Sequence, residues 1–433
     1  MAGPETLDAA HQPVDSPLLR ARELRAIYIG VAVFAAVYIS LDFNKLYALR
    51  YGADLGTYLQ TLVNLQHGSS WNYGEWKHHF QVHDSWILTL LVPVVALFPR
   101  AQTLIVVQVV AVAVAAIPLV LLARELGAGA RAANLLGIAY LLTPAAQGLS
   151  YDNFSENVFV PLLAFGGALA VRKRAFWWGL ICAQLLMGLK EDQILFVLWF
   201  AAACALWWDR RIGLALCVLA IANGVGFWTF ERALGGRPND PGYSLEIFNL
   251  GGKISMVLLL LAPFAFAPLM VGRWLLLGAP LLAEIVFMQP WNYEPSRIGS
   301  HYVAPLLAAT AIAAAFGIAR YPGFGRAVVP CALVVMLLFN DSVLRPGRWP
   351  YIVDWNAYAK AVQTRESGHA VLLHRRDEGV WAVAAANPDV RLDPRADPRF
   401  PRCPAYDRSA AAFFASMTGR MPQRLCGGVP VRP

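Results

Sequence analysis

The feature that most constrains this chain is a series of long apolar segments separated by short turns that carry arginine and lysine. Seven of these segments approach the roughly 20 apolar residues that a helix needs to cross a bilayer: residues 102–123, 132–148, 157–171, 213–230, 254–271, 302–319 and 327–343. With 58% hydrophobic and only 15% charged residues, the composition lies outside that of soluble globular domains. The sequence therefore predicts an all-α polytopic membrane protein.

The net charge of +8 does not indicate a nucleic-acid partner, because the basic residues occupy small clusters between the apolar segments. Such clusters mark cytoplasmic turns, and placing all of them in the cytoplasm sets the orientation of every span. The clusters are Arg20, Arg22 and Arg25; Arg124 and Arg131; Arg172, Lys173 and Arg174; Arg210 and Arg211; and Arg320 and Arg326. The predicted surroundings are a lipid bilayer, without nucleic acid.

One short apolar stretch decides the topology. Residues 1–18 lack the apolar core of a signal peptide, so residues 1–25 are predicted to be cytoplasmic, with residues 26–42 as the first span. Residues 86–98 then form a helix of only about 20 Å, which is too short to cross comfortably. Counting it as a span would also place basic turns on both sides of the membrane. We therefore predict that it is half-embedded within a first periplasmic loop at 43–101, which leaves about eleven spans within 26–343.

The last part of the chain, residues 344–433, is then predicted to lie outside as a small periplasmic α/β segment or cap. It contains a predicted helix at 354–364 and a predicted strand at 369–374. Cys403 and Cys426 lie in this polar tail and can form a disulfide if the tail is in an oxidising compartment. The other four cysteines lie in apolar segments, where a thiol usually acts as a small hydrophobe.

The first periplasmic loop begins with an amphipathic helix and continues with a dense polar and aromatic stretch. Asp54 opens the helix, apolar residues recur at three- and four-residue spacing as far as Leu65, and Gly68 closes it. The stretch that follows carries Trp71, Tyr73 and Trp76, whose flat faces suit stacking on sugar rings, interleaved with the polar residues His79 and His83. This density of polar and aromatic side chains predicts a functional site.

With this topology, polar residues far apart in the sequence gather at the outer rim. They are Asp54; His79 and His83; Asp152 and Glu156; Lys190, Glu191 and Asp192; and Arg297, His301 and Tyr302. Ionisable groups at membrane depth are costly and usually mark function. Structural interpretations stay open: Asp54 as a helix N-cap, Asp152 and Glu156 at a helix N-terminus, and the 190–192 stretch as a solvated turn.

Several short patterns in a fixed order carry a family resemblance. They are D-L-G with the amphipathic helix and N-L-x-H-G, then H-D-S-W-I-L-T-L-L-V-P-V, Y-D-N-F-S-E-N, L-K-E-D and H-Y-V-A-P-L, within roughly residues 45–320. The chain thereby resembles the bacterial membrane family named domain of unknown function 2079. That family is similar to the GT-C superfamily of polytopic glycosyltransferases, which implies a GT-C-like bundle with half-embedded jaw helices in the first loop.

The resemblance implies transfer of a sugar from a polyprenyl-phosphate donor at the periplasmic face of the bacterial inner membrane. Asp54 matches the position of the catalytic base, and Asp152 or Glu156 matches a second acidic site. Where family members often have D-F-H-P-E, this chain has Asp152 to Glu156 as D-N-F-S-E, and the missing histidine weakens a metal or phosphate role for that loop. No cofactor is predicted with certainty, and a divalent cation is left undecided.

The chemistry of the transfer suggests roles for the other residues. A departing phosphate needs positive charge or hydrogen-bond donors, which Lys190 and Arg297 can supply, with His83 and His301 as donors or orienting groups. The remaining site residues would hold the sugar or position the cations: His79, Glu191, Asp192, Tyr302, Trp71, Tyr73 and Trp76. The acceptor, whether lipid, glycan or protein, is left open. The alternative functions are a transporter or lipid flippase and a noncatalytic envelope assembly protein.

Overall fold

A computed structural model describes residues 17–233, 250–287, 297–339, 350–374, 377–393, 424–426 and 429–431. Cys403, and with it the predicted disulfide, lies outside these residues, as does most of the predicted 1–25 segment. The described part of the chain is mainly helical. Its helices are α1 (Pro17–Tyr47), α2 (Ala53–Leu65), α3 (Val92–Leu97), α4 (Ala101–Val114), α5 (Ala116–Glu125), α6 (Ala130–Leu142), α7 (Pro144–Tyr151), α8 (Val160–Arg172), α9 (Phe176–Met187), α10 (Asp192–Trp207), α11 (Arg210–Ala233), α12 (Leu250–Leu261), α13 (Gly272–Leu275), α14 (Ala279–Phe287), α15 (Ala304–Arg320), α16 (Phe324–Phe339), α17 (Trp355–Glu366) and α18 (Glu378–Ala384).

Among the described residues, five helical runs are long and apolar enough to cross a membrane. They are Leu24–Tyr47, Ala101–Glu125, Arg210–Phe230, Ala267–Phe287 and His301–Arg320. Shorter apolar helices accompany them at Trp86–Leu97, Ala130–Leu142, Phe176–Met187, Asp192–Trp207, Leu250–Phe264 and Phe324–Phe339. The prediction of a polytopic helical membrane protein is confirmed, while the count of eleven spans stays a prediction.

Helix α15 occupies the middle of the bundle, and several other helices pack around it. Its sequence is rich in alanine, and nearly all of its side chains are buried. Small residues allow close approach of helices where lipid offers no hydrophobic driving force. Helices α5, α6 and α8 pack around α15, and its amino-terminal end leads into the polar residues described below.

The short helix predicted at residues 86–98 is present as a separate element. A 3₁₀ helix at Trp86–Leu91 continues as α3, and residues 98–100 interrupt the helical structure before α4 begins at Ala101. Leu88 and Val95 on one side of this element are buried against the apolar residues of α2, and Leu97 at its end is exposed. The break lies where the sequence predicted a return to the surface, and the depth of the element in a bilayer stays a prediction.

The described part of the C-terminal tail contains a compact βαβ unit that lies against α2. The strand Val371–Leu373 pairs in parallel with the strand Val390–Leu392, and α18 lies between them in the sequence. Helix α17 starts at an Asp354 cap that accepts hydrogen bonds from two backbone amides. The helix and strand predicted at 354–364 and 369–374 are thus both present.

A short hairpin pairs Arg424–Cys426 with Val429–Val431. In the first loop, Trp71–Asn72 likewise pairs with Lys77–His78.

Candidate active site

Four segments meet at one end of the bundle: the first loop, residues 151–157, residues 188–192 and residues 297–302. The end of α7 and the 297–302 segment approach closely because both carry a glycine at the contact: a Cβ on Gly148 would lie 2.2 Å from the Gly299 Cα atom. Gln108 fixes the end of α7 by donating from Nε2 to the carbonyls of Leu149 and Ser150 at 3.0 and 2.8 Å. We call the side chains gathered here the polar cluster: Tyr58, His79, His83, Asp152, Glu156, Lys190, Glu191, Asp192, Arg297, His301 and Tyr302.

An ion pair joins two segments of the polar cluster. Arg297 Nη2 lies 3.1 Å from Asp152 Oδ1, and His301 Nδ1 lies 3.9 Å from the other carboxylate oxygen. Burial by itself would raise the pKa of Asp152, but His301 and the Arg297 guanidinium together hold this pKa well below its usual range. Asp152 is therefore ionised at neutral pH and is better suited to holding Arg297 than to accepting a proton.

A second contact links α2 to the 151–157 segment. The Tyr58 hydroxyl donates a hydrogen bond to Oε2 of Glu156, which is buried. Burial first, and the Glu156 carboxylate next, raise the pKa of Tyr58 well above its usual value. The Tyr58 ring also lies edge-on to His79, with ring centroids 5.2 Å apart. Helix α2 is therefore fixed to the second acidic segment by a side chain on its buried face.

His79 is buried and oriented by a carboxylate. Its Nδ1 lies 3.1 Å from Glu75 Oε2, while its Nε2 is buried without a hydrogen-bond partner among the described residues. Although burial would raise the pKa of Glu75, the hydrogen bond and charge of His79 lower it. When a carboxylate contacts one nitrogen of an imidazole ring, it orients the ring and so leaves the other nitrogen to face a ligand. Nε2 is thus a candidate contact to a bound substrate.

The first loop is also fixed to the 188–192 segment. His83 Nδ1 lies 3.2 Å from Glu191 Oε1, and Ser85 Oγ donates to the Leu189 carbonyl at 2.8 Å. Burial opposes both charged forms, but the mutual contact raises the pKa of His83 and lowers the pKa of Glu191 to about 2. The neighbouring Gly188 leaves room for the Trp86 ring, which a Cβ there would approach to 2.1 Å.

Lys190 places a positive charge between several acids. Its Nζ lies 4.7 Å from the centroid of the Tyr302 ring, a distance typical of a cation–π contact. Burial lowers the pKa of Lys190, but Asp192 and other neighbouring acids raise it above its usual value, so the ammonium stays charged. The predicted 190–192 turn is therefore part of the polar cluster and not a solvated surface turn.

Asp54 lies at the edge of the cluster, and its predicted N-cap position is wrong. Helix α2 begins at Ala53 with Gly52 as the N-cap residue, which places Asp54 in the first turn with an exposed side chain. Residues four apart lie on the same side of a helix, so Asp54 is a neighbour of Tyr58. The Asp54 charge contributes to the raised pKa of Tyr58, after burial and Glu156.

The three aromatic residues predicted to cover a sugar have structural contacts of their own. Trp71 lies in the short strand paired with His78, and its ring is edge-on to the Tyr73 ring. Tyr73 lies 5.1 Å under the Arg391 guanidinium, and Trp76 Nε1 donates to the Leu392 carbonyl at 2.6 Å. Tyr73 and Trp76 thus contact the C-terminal segment, and their sugar-binding role stays a prediction.

Sequence reasoning missed a buried group at the end of α1. The Tyr51 hydroxyl donates to Asp42 Oδ1 at 2.7 Å, and Lys45 Nζ donates to the Tyr151 carbonyl at 2.5 Å. The charge of Lys45 also helps to lower the pKa of Asp152, after the larger effects of burial, His301 and Arg297. The signal was available, because charged residues at the end of an apolar span usually have a functional or pairing role.

The described residues contain no group of three or more histidine, cysteine, aspartate or glutamate side chains that could hold a metal ion. A separate apolar cavity lies inside the bundle, lined by residues of α8, α9, α10 and α15 such as Leu163, Ala183, Phe196 and Ile312. Its lining contains no ionisable side chain. This cavity therefore supplies no acid, base or charged ligand from the residues that line it.

Comparison with known proteins agrees with the family resemblance. Residues 45–226 match the family model described as "Predicted membrane protein (DUF2079)", which confirms the resemblance over that part of the chain. The fold is similar to the crystal structure of ArnT from Cupriavidus metallidurans bound to undecaprenyl phosphate. The two share 16% sequence identity and a TM-score of 0.50, over 82% of this chain and 75% of that chain. At this identity the likeness shows the fold alone. No curated protein matches the chain.

Proposed function

From the premise that residues 45–226 carry the pattern of this membrane family on an ArnT-like fold, we propose that the protein is a glycosyltransferase. It moves a sugar from a polyprenyl-phosphate donor to an acceptor hydroxyl at the periplasmic face of the bacterial inner membrane. The observation that carries this proposal is that two cations lie close to each other at one end of an apolar helical bundle. Arg297 pairs with Asp152, which also lies beside His301. Lys190 lies over the ring of Tyr302, which packs against the His301 ring. A partly buried site that holds an arginine and a lysine at the end of an apolar bundle suits a phosphate that is anchored to a prenyl chain. The undecaprenyl phosphate bound to ArnT supports this choice of ligand class.

The proposed reaction needs a base for the acceptor and positive charge for the leaving group. The acceptor oxygen attacks the anomeric carbon, the bond from that carbon to the phosphate oxygen breaks, and the electron pair leaves with the lipid phosphate. Asp54 takes the acceptor proton. It suits this role because it is exposed in the first turn of α2 and lies on the same side of the helix as Tyr58.

Two cations of the cluster are assigned to the lipid phosphate. A guanidinium carries five N–H donors, so Arg297 can contact a phosphate while it holds Asp152. Lys190 contributes a second positive charge from above the Tyr302 ring. Together they stabilise the negative charge that grows on the departing phosphate.

The remaining polar groups are assigned to orientation. His301 and His83 each contact a carboxylate, and Glu156 is held by Tyr58. The buried Nε2 of His79 is assigned to a sugar hydroxyl. Trp71 is proposed to border the sugar from the first loop, whereas Tyr73 and Trp76 support it indirectly through the C-terminal segment.

The test is an assay of the purified full-length protein with a panel of polyprenyl-phosphate sugars, with release of lipid phosphate as the readout. We expect turnover with at least one donor. Asp54→Asn is expected to lower kcat by about 10²- to 10⁴-fold, the range for loss of a general base. Asp354→Asn is the matched control, since Asp354 also lies at a helix start and asparagine can replace it as a cap. Absence of turnover with every donor, or full activity of Asp54→Asn, would contradict the proposal.

The same preparation separates this function from the flippase alternative. A flippase moves a labelled polyprenyl lipid between the leaflets of a vesicle without breaking its glycosyl bond. A transferase releases lipid phosphate and forms a glycosylated acceptor. Lipid movement without phosphate release would therefore favour the flippase.

A further inference from the structure

We propose that α18 of the C-terminal segment positions α2 in the active site, and that Trp381 is the positioning residue for Asp54. This inference rests on the proposed function, in which Asp54 is the base. Trp381 is fully buried, and its indole Nε1 donates to the Ala53 carbonyl at 3.0 Å. Ala53 is the first residue of α2 and directly precedes Asp54.

A glycine on α2 leaves room for Trp381, and a glycine on α18 leaves room for the backbone that leads into α2. A Cβ on Gly56 would lie 2.4 Å from the Trp381 Nε1 atom, and a Cβ on Gly379 would lie 2.0 Å from the Leu49 carbonyl oxygen. Glycine inside a helix costs about 1 kcal/mol relative to alanine. The helical position of Gly56 is thus explained by the space that the indole ring needs.

Further hydrogen bonds extend this contact along α2 and the first loop. Gln60 Nε2 donates to the Val390 carbonyl at 3.0 Å, one turn beyond Gly56. Trp76 Nε1 donates to the carbonyl of Leu392, two residues further along the same strand. The C-terminal segment therefore contacts both α2 and the loop that follows it, and the contact spans more than 300 residues of sequence.

The Trp381 hydrogen bond holds the first turn of α2, which is the turn that carries Asp54. The first turn of a helix is the part that frays, because its amides lack intrahelical partners. The indole holds the Ala53 carbonyl and packs over Gly56, so it limits rotation of the turn that carries Asp54. A catalytic group displaced by about 1 Å can lose about 10²-fold in rate. Trp381 therefore acts on the rate through Asp54 without contacting substrate.

The experiment compares Trp381→Phe with Trp355→Phe in the full-length protein in lipid nanodiscs. Phenylalanine keeps a ring at position 381 but removes the N–H donor. Trp355 lies on the same segment and packs against Tyr47 of α1, so it controls for a general effect of removing an indole. Hydrogen exchange of residues 53–65 is measured together with kcat and KM for the lipid donor.

We expect faster exchange of residues 53–65 in Trp381→Phe and a kcat lower by about 10- to 100-fold with little change in KM. Gly56→Ala should reproduce both effects, and the double variant should lose no more activity than the stronger single variant, because both changes disrupt one contact. Trp355→Phe should behave as the parent protein does.

Unchanged exchange in both Trp381→Phe and Gly56→Ala would overturn the positioning role, as would an equal loss of kcat in Trp355→Phe. If Trp381→Phe does not fold, Gly56→Ala alone decides the question. A parent protein that turns over no donor would instead overturn the proposed function. The exchange measurement would still decide whether Trp381 holds α2.

Discussion

Arg297 and Asp152 are 145 residues apart in the sequence, and their side chains form an ion pair with Nη2 3.1 Å from Oδ1. Both side chains are about one-fifth exposed. The pair joins the segment before α15 to the segment after α7. It thus fixes the relative position of two parts of the polar cluster that no local interaction could hold together.

Arg297→Ala should leave the Asp152 carboxylate largely buried without its guanidinium. We expect the free energy of unfolding to fall by about 2 kcal/mol, below the range for fully buried pairs, and turnover to fall at least tenfold, by roughly the amount expected for loss of a charge-assisted contact. Thermal unfolding and the lipid-phosphate assay measure the two effects.

A double-mutant cycle and an ion pair with an exposed carboxylate serve as controls. If the two groups act as a pair, Asp152→Asn combined with Arg297→Ala should cost less than the sum of the single changes. The exposed Glu366 forms a 2.7 Å ion pair with Arg365, and Glu366→Gln should have almost no effect. Strict additivity of the Asp152 and Arg297 changes would contradict the interpretation.

The contact between His83 and Glu191 predicts a pH dependence of stability. The pKa of His83 is raised above 6.5, so its contribution is fully present below pH 6.5 and is lost as the pH rises through the raised pKa. The pKa of Glu191 is lowered from 4.5 to about 2, so its contribution is present above pH 4.5 and is lost as the pH falls toward 2. The pair should therefore stabilise most between pH 4.5 and 6.5.

Thermal unfolding of the parent protein and of His83→Gln across this pH range measures the effect. The difference in unfolding temperature between the parent protein and His83→Gln should be largest between pH 4.5 and 6.5 and should become smaller at higher pH. His67→Gln is the control, because His67 is exposed in the same loop. A constant difference between parent and His83→Gln at every pH would show that the pair does not titrate as described.

Gly148→Ala should separate α7 from the turn that carries Arg297. The new Cβ would lie 2.2 Å from the Gly299 Cα atom, which is backbone and cannot rotate away. Overpacking of this kind typically costs about 1 to 3 kcal/mol, so we expect a lower unfolding temperature and reduced turnover. Gly226→Ala in α11 meets no atom within 4 Å and should be neutral or slightly stabilising. Equal behaviour of the two variants would contradict the close packing of Gly148.

Tyr58→Phe should leave the buried Glu156 carboxylate without its main hydrogen-bond donor. We expect a loss of about 1 to 3 kcal/mol, the usual cost of an unsatisfied buried polar group, together with reduced turnover because α2 loses its contact with the second acidic segment. The measurements are thermal unfolding and lipid-phosphate release. Tyr47→Phe, which keeps the ring packing against Tyr358, is the control, and an effect of equal size there would remove the specific role of Tyr58.

Much of the helical architecture could be predicted from the sequence because it depends on local properties. Apolar runs of sufficient length define helices wherever they occur, and the short run at 86–98 was recognised as a separate element that ends before Ala101. The start of the amphipathic helix after residue 52 agrees with the prediction to within a residue, although Gly52 and not Asp54 is its N-cap and the helix ends at Leu65, before Gly68. Capping depends on one residue's backbone conformation, which the apolar spacing does not report.

The sequence alone also determined which polar residues are available, since carboxylates and cations between apolar segments are costly and seldom accidental. Only the tertiary structure decided their partners: Tyr58 with Glu156, His83 with Glu191, and Asp152 with Arg297. The same holds for Trp381, which is an ordinary apolar residue in the sequence and donates to the Ala53 carbonyl in the fold. The physical reason is that helix formation follows from the spacing of neighbouring residues, whereas a contact between residues 98 to 328 positions apart depends on how whole helices pack.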